Sequence, residues 1–219
     1  MLTTARIVSL SDGRITIEPS DELIEEIRRK SIRSVELRVD DGRRISNDQR
    51  KKIFALIRDI ADWSGDEPEY IRQYMTWDFC RRSGNDWFSL SDVDMTTATQ
   101  YISYLIEFCF TFSVPTRDSL LDRTDDISKY LYLCLAHRKC AVCNKYAEVH
   151  HVDRIGMGRN REKIFHEGLL AVALCREHHI ECHADEKGFF ARYFIYGIEL
   201  DRYLCERLKL KRKKEGAKK

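Results

Sequence analysis

Apolar and polar residues alternate from position 5 to 18 around Ser11-Asp12-Gly13-Arg14, the pattern of two short strands joined as a hairpin. Pro19-Ser20-Asp21 then opens a short helix running to Arg29, with Leu23, Ile24 and Ile27 on one side. Val35 to Val39 alternates again, as a half-buried strand does, and closes on Asp40-Asp41-Gly42. The period changes after Ser46-Asn47-Asp48-Gln49, a capping box in which the serine hydroxyl and the glutamine side chain satisfy the free amides of a helix start. Ile53, Phe54, Ile57, Ile60 and Ala61 follow at helical spacing and predict a helix over 47–63. Two further helical segments, about 68–82 and 92–112, flank the aromatic turn Gly84-Asn85-Asp86-Trp87-Phe88. The stretch 101–114 is the most apolar of the chain, but Glu107 and several hydroxyls make it a buried helix rather than a bilayer span. A further helix runs from about Asp125 to His137 and leads into a window rich in histidine and cysteine. A few short strands and many helices that do not alternate with them give an α+β chain.

Pro115, one of only three prolines, stands before the polar run Thr116-Arg117-Asp118-Ser119 and marks the best candidate linker. It divides the 219 residues into an N-terminal domain over 1–116, made of a small sheet plus helices, and a C-terminal domain over 117–208, with a basic tail over 209–219. Charged residues are 34% and hydrophobic ones 43%, which excludes a disordered acidic or low-complexity chain. The net charge of +2 says little, but its placement says more: Leu204 to Lys219 holds eight Lys/Arg against two Glu. That end could neutralise DNA phosphates, or it could be an ordinary solvated terminus. Met1 to Ser20 carries polar residues throughout and no continuous apolar run, so a secretory signal is not expected and a reducing cytoplasm is. There, eight cysteines raise the question of metal ligation before that of disulfides.

All seven histidines fall between His137 and His183, and Cys134, Cys140, Cys143, Cys175 and Cys182 lie in or beside that window. Cys140-Ala141-Val142-Cys143 lets one tight turn aim two sulfurs at one ion, and Cys175-Arg176-Glu177-His178 offers a second pair at the same spacing. A redox CxxC or ordinary buried cysteines are the plainer alternatives. Cys182 could replace His178 as the fourth zinc ligand, though His178 keeps the short-loop spacing. His150-His151 lies between the pairs, and a helix starting near Arg176 would project His179 and His183 from one face, one turn apart.

This arrangement resembles the HNH endonucleases of the ββα-metal fold, on Cys140-x-x-Cys143, His150-His151 and Leu174-Cys175-x-x-His178-His179-x-x-x-His183. It is similar still to HNH nucleases encoded by bacteriophages, through His150 to Arg159, His166-Glu167-Gly168 and Tyr196-Gly197-Ile198-x-Leu200. The likeness covers about 125–208 and implies a C-terminal ββα-metal domain with a zinc knuckle of Cys140, Cys143, Cys175 and His178. It implies that His150, His179 and His183 hold the catalytic ion and that His151 is the general base. The family's middle asparagine has no match, since Leu170 stands at its place; Asn160 and His166 are the stand-ins, with His166 preferred.

The chemistry so implied is metal-assisted hydrolysis of a DNA phosphodiester, leaving 5′-phosphate and 3′-hydroxyl ends. Three imidazoles suit zinc, nickel, manganese or cobalt better than magnesium, so the working ion (Mn2+, Mg2+, Ni2+ or Zn2+) stays open beside a structural Zn2+. Arg159 or Arg161 would clamp the scissile phosphate, with Lys211 and Arg212 as further DNA contacts.

The N-terminal region resembles phage Orf-type recombination mediators in its strand–strand–helix–strand order and its capped helix bearing Ile53 to Ile60. That likeness covers about 1–114 and implies single-stranded DNA and single-strand-binding protein as partners, and a homodimer. Trp63, Trp77, Trp87 and Phe88 could stack on bases, although core packing is the commoner use of such rings. The basic residues Arg28, Arg29, Lys30, Arg43, Arg44, Arg50, Lys51 and Lys52 could line a DNA groove or be solvated charge. Two functions compete: a phage endonuclease acting on single-stranded, branched or duplex recombination or replication intermediates, in the host cytoplasm, and a non-catalytic DNA-binding mediator stabilised by zinc. A restriction-type defence nuclease is a third.

Overall fold

A computed structural model describes residues 5–11, 13–32, 42–152 and 165–211. The strand expected over 35–39 lies outside them, as do Arg159, Asn160, Arg161 and Arg212. The hairpin forms from β1 (Arg6–Ser11) and β2 (Arg14–Glu18), antiparallel with Ser11 opposite Arg14. Ser20 caps α1 (Asp21–Lys30) by accepting the Leu23 N–H. α2 (Asn47–Ser64) starts at the capping box: the Gln49 N–H donates to Ser46 Oγ and the Ser46 N–H to Gln49 Oε1, each at 3.0 Å. α3 (Pro68–Ser83) and α4 (Met95–Phe112) complete the helical half.

After a short α5 (Leu120–Arg123), α6 (Ile127–His137) leads to β3 (Glu148–His151), β4 (Leu170–Leu174) and α7 (Arg176–Ala184). α8 (Glu186–Tyr193), β5 (Ile198–Glu199) and α9 (Arg202–Leu208) close the chain. The second sheet is antiparallel in the order β3-β4-β5, with His150 opposite Val172 and His151 opposite Ala171. The chain is thus α+β, predominantly helical with two small antiparallel sheets. Among the described residues, no helix is long and apolar enough to cross a membrane.

Helix periodicity explains the packing. Ile53, Leu56, Ile57 and Ile60 turn one face of α2 inward, and Ala98, Tyr101, Ile102, Leu105 and Ile106 do the same for α4. Each such isoleucine or leucine contributes roughly 1.5–3 kcal/mol by leaving water. α4 in turn packs on α6, and α6 on β4, so one apolar core runs from Ile45 to Leu208. The apolar stretch expected to be a buried helix is α4.

The segment after Pro115 is held down rather than free. Asp59, 2% exposed, accepts from the Arg117 backbone N–H at 3.2 Å and from Arg123 Nη1 at 2.5 Å. Arg123 is itself buried and also donates to Asp118 at 2.8 Å. Removing one partner of a buried ion pair strands the other charge, at about 3–5 kcal/mol. Asp59→Ala is therefore expected to lower the thermal midpoint by about 6–20 °C, measured by circular dichroism. A change within a degree or two would mean that Asp118 alone satisfies Arg123.

Two expectations are corrected here. Trp63, Trp77 and Trp87 are exposed by 43%, 51% and 57%, so these rings are not core; only Phe88 packs against it. Trp63 lies edge-on to Phe108, and Trp77 stands under the Arg81 guanidinium. Among the basic residues offered as a groove lining, Arg50 donates to the carbonyls of Leu90 and Ser91, and Lys52 bridges Asp48 and Asp125. Those two charges serve the fold.

Candidate metal centre

The first group of ligand-type side chains is built by a turn and a helix start. The Cys140 N–H donates to the Lys145 carbonyl at 2.7 Å and the Asn144 N–H to the Cys140 carbonyl at 2.9 Å. Asn144 takes a positive φ of 57° to close that turn, a conformation asparagine tolerates. Cys175 occupies the N-cap of α7 but makes no side-chain cap bond; its sulfur faces elsewhere, at the positive end of the helix dipole. His178, within the first turn of α7, places Nδ1 3.1 Å from Cys175 Sγ and 3.5 Å from Cys140 Sγ. Cys143 Sγ lies 3.6 Å from Cys175 Sγ, and all four ligand atoms fall within 4.8 Å of one another.

Ligands of a tetrahedral zinc ion sit about 3.5–3.8 Å apart, given metal–sulfur and metal–nitrogen bonds near 2.3 and 2.0 Å, so this set fits such an ion. Burial pushes the Cys143 thiol up to about 12, so only a nearby cation would draw the thiolate out. The set anchors the second sheet: the Ala141 N–H donates to the Ala173 carbonyl on β4, and Tyr130 Oη donates to the Ala141 carbonyl, both at 2.9 Å.

The second group forms across β3 and α7. Successive side chains of a strand project to opposite faces, so the adjacent histidines separate. His150, 2% exposed, turns toward α7, where its ring centre lies 5.0 Å from that of His179 and 4.9 Å from that of His183. His179 and His183, at i and i+4, stack at 4.7 Å. One nitrogen from each of the three falls within 4.8 Å of the others. Burial holds His150 below the ordinary histidine value, so at neutral pH it is uncharged, the form that ligates a cation.

His151 turns to His166 instead, with Nε2 2.8 Å from His166 Nδ1. One proton shared between those nitrogens fixes the orientation of both rings. Burial lowers the His166 pKa as well. The His166 backbone N–H donates to the Lys211 carbonyl at 2.9 Å, which brings the start of the basic tail beside this pair. Lys211 Nζ sits 5.8 Å from the centre of the Phe165 ring. Gly197 permits the tight closure of the sheet: a Cβ there would meet Val152 Cγ2 at 2.9 Å and Leu170 Cβ at 3.0 Å.

Two acidic residues complete the surroundings, and the sequence pattern did not single them out. Glu148 Oε2 lies 3.0 Å from His179 Nδ1, so the Nδ1–H donates to the carboxylate and Nε2 keeps its lone pair. Glu148 stands two residues before His150 on one strand face, and that spacing could have revealed it. Glu186 Oε2 lies 3.1 Å from His150 Nε2, and Cys182 Sγ 3.5 Å from the same nitrogen. Cys182 thus faces His150 rather than the four-atom group, while His178 joins that group. Glu186 follows a helix break at Asp185, so no period pointed to it.

Loss of a carboxylate that orients a metal-binding histidine lowers metal affinity by about 10–100-fold. Glu148→Gln is expected to weaken Mn2+ binding by that factor in titration calorimetry. Unchanged binding would show that His179 needs no such partner.

A protein-family profile described as Putative HNHc nuclease matches residues 15–211. The chain belongs to this HNH nuclease family. Searches of the curated proteins and of the solved structures give no match. The matched span crosses residue 116 and takes in α1 to α4 as well as the histidine-rich half. The description that this family carries is that of a nuclease, a hydrolase class that acts on nucleic acid. The Cys/His groups of this HNH protein are compatible with divalent metal binding.

Proposed function

We propose that this HNH protein is a metal-dependent DNA endonuclease, with a catalytic ion held by His150, His179 and His183 and a structural zinc held by Cys140, Cys143, Cys175 and His178. The observation that carries the reading is that two adjacent residues of one strand lead to two separate groups of imidazoles. His150 gathers with two helix histidines, and His151, the next residue, is held by His166. A structural site has no use for a second, separately oriented imidazole.

A bound ion would supply positive charge that offsets the negative charge developing on the phosphate and the leaving oxygen. The three histidines hold it while neutral. His151 takes the proton of the attacking water; an imidazole suits this because its unperturbed pKa, about 6.5, lies near working pH. His166 keeps the accepting ring in register. Arg159 and Arg161 grip the scissile phosphate with paired donors, and Lys211 and Arg212 add backbone contacts. The Lys211 carbonyl bond to His166 supports the Lys211 assignment, since it sets that residue beside the proposed base and its partner.

The further scope of the proposal rests on the likenesses of the two halves. Residues 1–116 form a recombination-mediator-like module that recruits single-stranded DNA and single-strand-binding protein, 117–208 the nuclease, and 209–219 a DNA-binding tail. The protein then acts as a homodimer in phage recombination or replication, in the host cytoplasm. Purified protein incubated with supercoiled and branched DNA tests the core of this. Cleavage that requires Mn2+, Mg2+ or Ni2+ and leaves 5′-phosphate ends is expected. DNA binding without cleavage under every metal would instead make the chain a zinc-stabilised mediator.

A further inference from the structure

We propose that His150, Cys182 and Glu186 form a second metal site, selective for a thiophilic divalent ion such as zinc, which competes for His150 with the three-histidine group. The site stands on its own geometry; the consequence of the competition rests on the nuclease reading above.

The three side chains come from three elements: β3, the last turn of α7 and the first residue of α8. Asp185 fixes the α7–α8 junction by accepting the Gly188 N–H at 3.0 Å, so Glu186 is held at a defined place. His150 Nε2 lies 3.1 Å from Glu186 Oε2 and 3.5 Å from Cys182 Sγ, and the three ligand atoms fall within 4.8 Å of one another. Those are the edges of a tetrahedron around an ion bonded at about 2.0 Å to nitrogen and oxygen and 2.3 Å to sulfur. Cys182 is fully buried and His150 nearly so, whereas the Glu186 side chain is 38% exposed. An ion can therefore enter along the carboxylate and keep a water as its fourth ligand.

The two sets differ in chemistry. Three imidazoles accept manganese or nickel as well as zinc, but a set with a thiolate favours the soft end of the series and discriminates against manganese and magnesium. A neutral imidazole offers one lone-pair nitrogen, so His150 serves one ion at a time. Zinc at Cys182 and Glu186 thus takes the buried ligand out of the other group. Binding releases the thiol proton of Cys182 to solvent and forms one metal–sulfur bond; no electron is transferred.

Cobalt(II) reports this directly, because a thiolate bound to it gives a charge-transfer absorption in the near ultraviolet that imidazole and carboxylate do not. Full-length protein is first loaded with one equivalent of zinc, which fills the Cys140–His178 group, and is then titrated with Co2+. The expected result is a charge-transfer band that saturates with the added cobalt. The band is lost in Cys182→Ser, and Glu186→Gln weakens cobalt binding roughly tenfold or more, as loss of a metal-site carboxylate does. His179→Ala keeps the band. Glu186→Gln alters a half-exposed side chain, so it keeps the test decisive even if the cysteine variant does not fold. Cobalt binding without the band, no cobalt bound beside the preloaded zinc, or a band that survives Cys182→Ser would each overturn the site. Failure of the nuclease reading would show separately, as absence of Mn2+-dependent cleavage by the wild-type protein.

Discussion

His151→Ala should silence DNA cleavage, lowering the rate by about 10²–10⁴-fold, the span general-base catalysis supplies. The residue sits on β3 opposite Ala171, and its side chain projects away from the face that carries Glu148 and His150. Its removal therefore leaves the three-histidine group and the β3–β4 ladder in place. Metal stoichiometry and the thermal midpoint are expected to match wild type while cleavage of supercoiled DNA disappears. His166→Ala should act in the same direction with a smaller loss, because the 2.8 Å contact orients the base without receiving the substrate's proton. Wild-type rates in His151→Ala would remove the proposed mechanism while leaving the metal groups untouched.

Removal of the proposed structural zinc should cost the most stability. Structural zinc sites contribute about 10–16 kcal/mol of apparent binding energy, comparable with or larger than the 5–15 kcal/mol that holds a typical domain together. The turn at Cys140–Cys143 carries the Ala141 bond to β4 and the Tyr130–Ala141 bond to α6, so its release loosens the strand against which β3 is aligned. Chelation, or Cys140→Ser, is expected to abolish the cooperative thermal transition of the C-terminal half and to release about one zinc per chain. A metal-free protein with an unchanged melt would contradict the assignment of Cys140, Cys143, Cys175 and His178.

Local chemistry made much of this structure readable in the residues. The capping box at Ser46–Gln49 starts α2 because each side chain satisfies a backbone amide that has no partner within the helix. His179 and His183 meet on one face because four residues make about one helical turn, and the short alternating run around Gly13 could only be a hairpin. What sequence did not disclose depends on distant partners. Asp59 holds the segment after Pro115 from 58 residues away, so a run that reads as a linker is in fact gripped by α2. Glu186 reaches His150 across a sequence separation of 36 residues and a helix break. The tryptophans at 63, 77 and 87 are apolar enough for a core but stand on outward helix or turn positions, a distinction composition does not carry. His166, preferred over Asn160 for the missing asparagine, lies against the proposed base; Asn160 is outside the described residues.

The proposed mechanism requires one ion shared by the β3 histidine and the α7 pair. Anomalous diffraction from crystals grown with Mn2+ locates such an ion without reference to activity. The expected result is a single peak bonded to one nitrogen each of His150, His179 and His183. A manganese peak elsewhere, or none at these three rings, would leave the nuclease reading without its catalytic centre.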